Sequence, residues 1–264
     1  MRSPTSLAIF AGLLCAVTAT TGHAFQPLIT DDTGTQGTGG NQLEFSVNRD
    51  RAETAGVTVT ERVLPFTYSR GLSDTLDVFV SANHTRISAN VPGADASGSG
   101  NPSVGVKWRF YENEASKTSL GIKPELRLPV SESNEAKGLG TGRSSYGVTL
   151  LFTQEVPFGA VHANLVVGRD RYRDSLTNPD ATTTRLSVTP VWDVVEHWKL
   201  AVDLGTETEK AGGNEIRANY FELGAIFSPN KDLDFAFGMV RRRANDTPGI
   251  TIYSLTTGVT WRFK

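Results

Sequence analysis

From residue 41 onward the chain falls into runs of about 8–14 residues in which every second position is apolar or aromatic, the pattern of strands with one apolar face. Twelve runs follow one another, at 41–48, 57–69, 75–86, 102–111, 117–128, 145–156, 160–172, 182–193, 198–207, 216–227, 232–242 and 250–263. Val104, Val106, Trp108 and Phe110 show the alternation, as do Trp198, Leu200, Val202 and Leu204. None of the runs keeps helical spacing. The connections alternate between short and long. Short ones such as 71–74, 112–116, 157–159, 194–197 and 228–231 read as turns. Between them lie polar loops at about 49–56, 87–101, 129–144, 173–181, 208–215 and 243–249. This rhythm predicts an all-β fold: a transmembrane antiparallel up-and-down β-barrel of about twelve strands over residues 41–264, with short periplasmic turns and longer extracellular loops.

Strand direction sorts the aromatic residues. Trp108, Trp192, Trp198 and Trp261, all four tryptophans, fall at the short-turn ends of their strands, with Phe110, Phe152, Phe227 and Phe263. Tyr146, Tyr172, Tyr220 and Tyr253 fall at the long-loop ends. Amphipathic rings at both lipid–water interfaces account for the two groups, so Trp108, Trp192, Trp198, Trp261, Tyr146 and Tyr253 are expected to form an aromatic girdle.

The opposite parity is polar and predicts the lumen. Lys107, Arg109, Lys123, Glu125, Arg127, Arg185, Asp203, Glu222 and Asp234 are the main lumen-lining candidates, and Glu44, Glu61, Asp77, Asp170, Arg242 and Arg262 share their parity. Small residues such as Thr67, Ser81, Gly168, Gly224 and Gly238 stand among them. Two readings compete. The charges either line a water-filled passage that selects solutes, or they pair and fill a closed interior. Small inward residues leave the interior incompletely packed, which favours a narrow pore.

Composition sharpens this picture at three points. A mean hydropathy of -0.23, with no apolar run long enough for a spanning helix, leaves strands as the means of crossing a membrane. The net charge of -2, without basic runs, argues against nucleic acid as a partner. Residues 1–24 read as a cleaved signal peptide, with Arg2 ahead of the apolar stretch 7–17 and Gly22-His23-Ala24 as the cleavage site. Cys15, the sole cysteine, leaves with it; Leu14 stands where a lipoprotein signal places a small residue, so lipid attachment there is disfavoured.

Residues 25–40, which include Asp31-Asp32 and four threonines, have no strand pattern. They read equally well as a segment folded into the lumen and as a flexible periplasmic end. The two aspartates lack the further oxygen ligands of a calcium loop, so neither a metal nor a cofactor is expected. No catalytic constellation emerges from the histidines: Arg86 stands two residues after His84, where twelve-stranded barrel phospholipases carry serine, and His162 and His197 lack a serine at motif spacing. The chain is therefore expected not to be an enzyme, an outer-membrane lipid hydrolase being the least favoured reading. The glycines of 138–142 lack the Lys and helix of a phosphate loop.

The run 27–37, PLITDDTGTQG, followed by Asn41-Gln42-Leu43-Glu44, resembles the opening of the exported family labelled "putative meta-pathway of phenol degradation". Gly105-Val106-Lys107-Trp108-Arg109-Phe110 is similar to one of its strands, and the run 139–146, LGTGRSSY, to its Gly-rich loop; the closing run 258–263 is barrel-like. The resemblance implies a transporter-like barrel in the cell outer membrane. One departure is that Lys264 follows Phe263, where barrels end on an aromatic residue read by the barrel assembly machinery. The reading that unites these features is a porin-like outer-membrane channel for passive passage of small, aromatic or other organic, solutes. Its partners would be outer-membrane lipid, the solute and the assembly machinery. A closed structural or surface-binding barrel is the alternative.

Overall fold

The computed structural model describes residues 27–54, 56–176, 178–245 and 250–264. The segment expected to be a signal peptide, with Cys15, lies outside the described residues. Thirteen strands are seen among those described: β1 (Asn41–Thr54), β2 (Val57–Ser73), β3 (Leu76–Ala89), β4 (Ala96–Ser99), β5 (Ser103–Asn113), β6 (Thr118–Arg127), β7 (Ser145–Val156), β8 (Gly159–Asp170), β9 (Ala181–Val195), β10 (Trp198–Ala211), β11 (Asn214–Asn230), β12 (Leu233–Ala244) and β13 (Thr251–Phe263). Apart from β4, each pairs antiparallel with its sequence neighbours along the barrel wall, and β1 pairs with β13, from Asn41 opposite Phe263 to Glu53 opposite Thr251. The sheet closes on itself. Closure removes the unpaired edges that lipid could not satisfy.

The thirteenth strand departs from the sequence expectation, which placed a loop at 87–101. β4 and β5 both pair with β3, β4 along His84–Ile87 and β5 along Leu76–Ser81, so they form one stave broken at residues 100–102. The register slips by one residue across the break, where the Gly100 N–H donates to the Asn83 carbonyl. The closed wall therefore has twelve staves.

Burial alternates along every long strand. Phe45, Phe66, Leu186, Leu223, Phe237 and Leu255 point outward and are exposed, whereas Glu44, Thr67, Ser187, Glu222, Thr260 and their neighbours of the same parity are buried. In a soluble protein this would be inside out. Facing lipid, it is the arrangement that keeps hydrocarbon against hydrocarbon and polar groups inside.

Two of the expected long loops are shorter than the sequence pattern indicates. Ala211 pairs with Asn214 across the turn Gly212-Gly213, both with positive φ, and Thr54 pairs with Val57. Glycine meets the φ demand of such a two-residue turn without a Cβ penalty. Strands β1–β2 and β10–β11 thus run on beyond the membrane as hairpins. The long loop 128–144 instead folds back. Its one-turn helix α1 (Glu132–Ala136) is capped by Ser131, whose side chain accepts from the Asn134 N–H. Leu139 beyond it packs with Ala52, Val59, Ile87, Ile250 and Ile252 at the long-loop end of the interior.

Candidate functional site

The interior is built from the inward parity of the strands together with residues 27–40, which cross it from one wall to the other. The Ile29 N–H donates to Glu222 Oε2 at 3.2 Å, and the Thr30 N–H donates to Asp203 Oδ2 at 2.6 Å. Both acceptors are fully buried, on β11 and β10, directly opposite each other. The Thr30 hydroxyl lies 2.8 Å from Asp203 Oδ1 and 2.7 Å from Ser187 Oγ on β9. Asn164 on β8 binds residue 31 at both backbone groups, accepting from its N–H and donating to its carbonyl. Thr33 then meets Thr153 on β7 and Ser119 on β6, and the Gln36 N–H points at both Asp77 oxygens on β3.

The charges of the segment meet opposite charges of the wall. Lys107 Nζ on β5 lies 3.0 Å from Asp31 Oδ1 and 2.9 Å from Asp32 Oδ1, and Lys123 Nζ on β6 lies 2.8 Å from Asp31 Oδ2. Lys123 also sits over the Phe79 ring, 5.1 Å from its centroid, a favourable place for a cation. Burial alone would raise the Asp32 carboxyl; the Lys107 ammonium and the Gly34 N–H instead hold it well below the ordinary carboxylate range. At the rim, Thr38 donates its N–H and hydroxyl to Asp74, which holds that carboxyl down as well. The segment leaves the lumen where the Gly39 N–H donates to the Gly71 carbonyl and the Gly71 N–H to the Gly40 carbonyl. A Cβ on Gly71 would collide with the Gly37 carbonyl.

The remaining lumen-lining candidates form separate ion pairs. Arg127 meets Asp170 at 2.8 Å, and Glu207 lies between Arg185 at 3.5 Å and Arg242 at 4.0 Å, toward the long-loop end. Asp234 pairs with Arg262 at 2.7 Å, near the short turns. Arg109 donates to the Asp74 carbonyl and lies 3.4 Å from Glu112. Glu125 is half-buried on β6. Between the segment and the walls of β1, β2, β3, β12 and β13 remains a cavity of about 250 Å³, lined by Asp31, Asp32, Glu44, Asp77 and Asp234 against Lys107, Lys123 and Arg262, with Thr67, Ser69, Gln42 and Thr260 between.

On the outside, rings gather at the short-turn rim: Trp198 against Phe227 at 4.9 Å, Trp261 against Phe263 at 4.6 Å, Phe158 against Trp192 and Trp108 against Phe110, each at 5.8 Å. Tyr146 and Tyr253 are exposed at the opposite end. Two tyrosines depart from the belt expected of them. Tyr220 is buried with its hydroxyl 3.1 Å from Asp203 Oδ1, because it has the parity of Glu222 and not that of Phe221. Tyr172 lies beyond the end of β8, where its N–H donates to Asp180. The histidines are dispersed: His84 outside beside Ser97, His162 inside beside Thr153, and His197 in a turn against Phe227.

Sequence reasoning weighed Asp31 and Asp32 only as calcium ligands. The signal available for their actual role was complementarity, two acids ahead of the first strand and two lysines on the inward parity of β5 and β6. Asn164, Ser187, Thr153, Ser119 and Phe79 carried no such signal, since inward polar or aromatic residues are ordinary in a barrel.

The family model described as "Putative MetA-pathway of phenol degradation" matches residues 27–261. No curated relative matches the chain. Among solved structures, the fold is similar to an outer-membrane channel from Pseudomonas putida F1, at 15% identity and a TM-score of 0.73 over 88% of this chain and 98% of that one. It is also similar to the transport unit of the autotransporter AIDA-I from Escherichia coli, at 9% identity and a TM-score of 0.58 over 100% of both chains. The NanC porin matches at 10% identity and a TM-score of 0.53, over 82% of this chain and 98% of that one. These likenesses are of fold, and the fold is that of an outer-membrane barrel.

Proposed function

We propose, from the premise that this chain belongs to the "Putative MetA-pathway of phenol degradation" family, that it is a passive outer-membrane channel for small solutes, narrowed by residues 27–40. The observation that carries this reading is the residual cavity of about 250 Å³ beside the segment. A barrel closed for purely structural reasons has no need to hold a polar space large enough for several waters. The cavity walls are hydroxyls, amides and charges of both signs, which can exchange hydrogen bonds with a passing solute and hold none of them tightly.

Five carboxyls against three cations give the passage a preference for cations and neutral molecules. The family description favours small aromatic compounds as the solute. Lys107, Lys123, Asp77, Asp203 and Glu222 hold the constriction in place, while Glu44, Asp234 and Arg262 face the solute. The assembly machinery would read Phe263, which pairs with Asn41 at the barrel seam.

The test is single-channel recording of the refolded protein in a planar bilayer, with a salt gradient for selectivity and liposome swelling with small aromatic solutes. Small discrete conductance steps with a cation-selective reversal potential are expected. A silent membrane over many insertions, with no swelling, would leave the structural or surface-binding barrel in its place.

A further inference from the structure

On four strands the lipid-facing row turns from apolar residues to arginine toward the long-loop side. β1 runs Phe45, Val47, Arg49, Arg51; β2 runs Phe66, Leu64, Arg62; β3 runs Val80, Ala82, His84, Arg86; and β12 runs Phe237, Met239, Arg241, Arg243. All six guanidinium side chains belong to exposed residues. The alternation that puts the phenylalanines against lipid carries the arginines to the same outer face.

The ladder register brings them together. Arg49 stands directly opposite Arg62, and Arg62 directly opposite Arg86, so three arginines sit side by side across three strands. Tyr253 on β13 stands opposite Arg51 on one side and Arg241 on the other. Like charges placed directly opposite each other repel, and a sheet retains such a row at a cost unless something anionic lies over it. Among the described residues the one carboxylate that meets these six arginines is Glu53, 3.7 Å from Arg51. Arginines on the other walls are matched: Arg169 with Asp180 at 3.5 Å, and Arg217 with Glu215 at 3.4 Å.

Depth identifies what offsets the charge. On β1, β2 and β12 the arginines begin one outward-facing position past the last apolar side chain, roughly 7 Å further along the strand, and Tyr253 marks the same level. That is the headgroup zone at the extracellular end of the barrel. There a planar guanidinium fork finds phosphate oxygens, which it binds in pairs. We infer that this patch binds the phosphorylated saccharide headgroup of the outer-leaflet glycolipid, with Arg49, Arg62 and Arg86 gripping one phosphate cluster and Arg51, Arg241 and Arg243 flanking it. The site lies on the outer wall and does not depend on the channel reading.

The test uses the full mature chain in detergent and native mass spectrometry with bisphosphorylated lipid A, its dephosphorylated form and phosphatidylglycerol. Bisphosphorylated lipid A is expected to bind in preference to both others, with an affinity that falls as salt is added. The triple variant Arg49→Gln/Arg62→Gln/Arg86→Gln should lose at least tenfold in affinity, while Arg169→Gln/Arg217→Gln stays within twofold of the unaltered protein. Arg62→Gln alone, at the centre of the row, gives the same reading with a single surface change, and a heat-modifiable gel shift certifies the barrel in each case. Equal binding by these variants and the unaltered protein, or equal binding of dephosphorylated lipid A, would overturn the proposal. Phosphatidylglycerol bound as tightly as lipid A would reduce the patch to a general anionic surface and overturn its assignment to the glycolipid.

Discussion

At the residue scale, neighbouring side chains on one strand live in opposite solvents, so substitutions should act oppositely. Leu223 is exposed to lipid near the middle of β11, opposite Val202 on β10. Leu223→Arg would put a charge into hydrocarbon and should cost about 2–4 kcal/mol, read as loss of the fast-migrating folded form on refolding. Asp203, also mid-barrel, faces inward and accepts from the Thr30 N–H and from the hydroxyls of Thr30 and Tyr220. Asp203→Asn keeps a neutral acceptor and should leave the barrel folded, weakening only the grip on the segment by about 1 kcal/mol. If both variants refolded equally well, the inward and outward faces of this hairpin would be misassigned. This alternation was legible in the sequence because Leu, Trp and Phe mark one parity so consistently. Tyr220 was not, since an aromatic residue near a strand end fits a lipid interface as readily as a buried hydroxyl contact.

The charge of Asp32 sets a pH dependence with a definite sign. Its carboxyl is held below its ordinary value of 3.8 in the folded protein, so its contribution to docking is complete above that value and is lost as the pH falls through the lower native one. Asp74, held down by Thr38, acts in the same direction. The part of the docking that Asp32 and Asp74 carry should therefore stay intact between about pH 7 and pH 5 and weaken only below about pH 4, read as a rise in conductance that begins there. A rise complete by pH 5 would show that these carboxylates are not the anchors.

At the element scale, the strand order and nearly every stave could be read from period two alone, while strand ends could not. Toward the long loops β1 and β2 keep their alternation but invert its sense, with Ala52 and Val59 buried inside and Arg49, Arg51 and Arg62 exposed outside, and on the extended β10–β11 hairpin the pattern fades among polar residues of both parities. β4 was hidden for a related reason: a one-residue slip at 100–102 breaks the period, and Ala96-Ser97-Gly98-Ser99 resembles a loop. The course of residues 27–40 could not be chosen between lumen and periplasm, because many of its contacts are hydrogen bonds from backbone N–H groups that every sequence offers, and the match of Asp31 and Asp32 to Lys107 and Lys123 shows itself only once the walls are in place. One glycine tests its exit route. Gly71→Ala places a methyl group against the Gly37 carbonyl, which should push the segment from the rim and raise conductance while the barrel still runs as a folded species. Unchanged conductance in the folded variant would mean that the segment does not pass Gly71 in the membrane.

At the scale of the whole molecule, a closed wall with lipid-facing apolar residues encloses polar groups enough to bind a strand-less segment across its width. Acids on β10 and β11 hold its start, lysines on β5 and β6 its middle, and Asp74, Asp77 and Gly71 its exit. In the proposed channel this segment, and not the wall, sets the width of the passage. Single-channel conductance of the unaltered protein compared with a variant lacking residues 27–38 tests it most directly. A severalfold larger, steady conductance is predicted for the shortened chain, because the whole polar lumen then opens. Equal conductance, or silence from a shortened barrel shown to be folded, would contradict it.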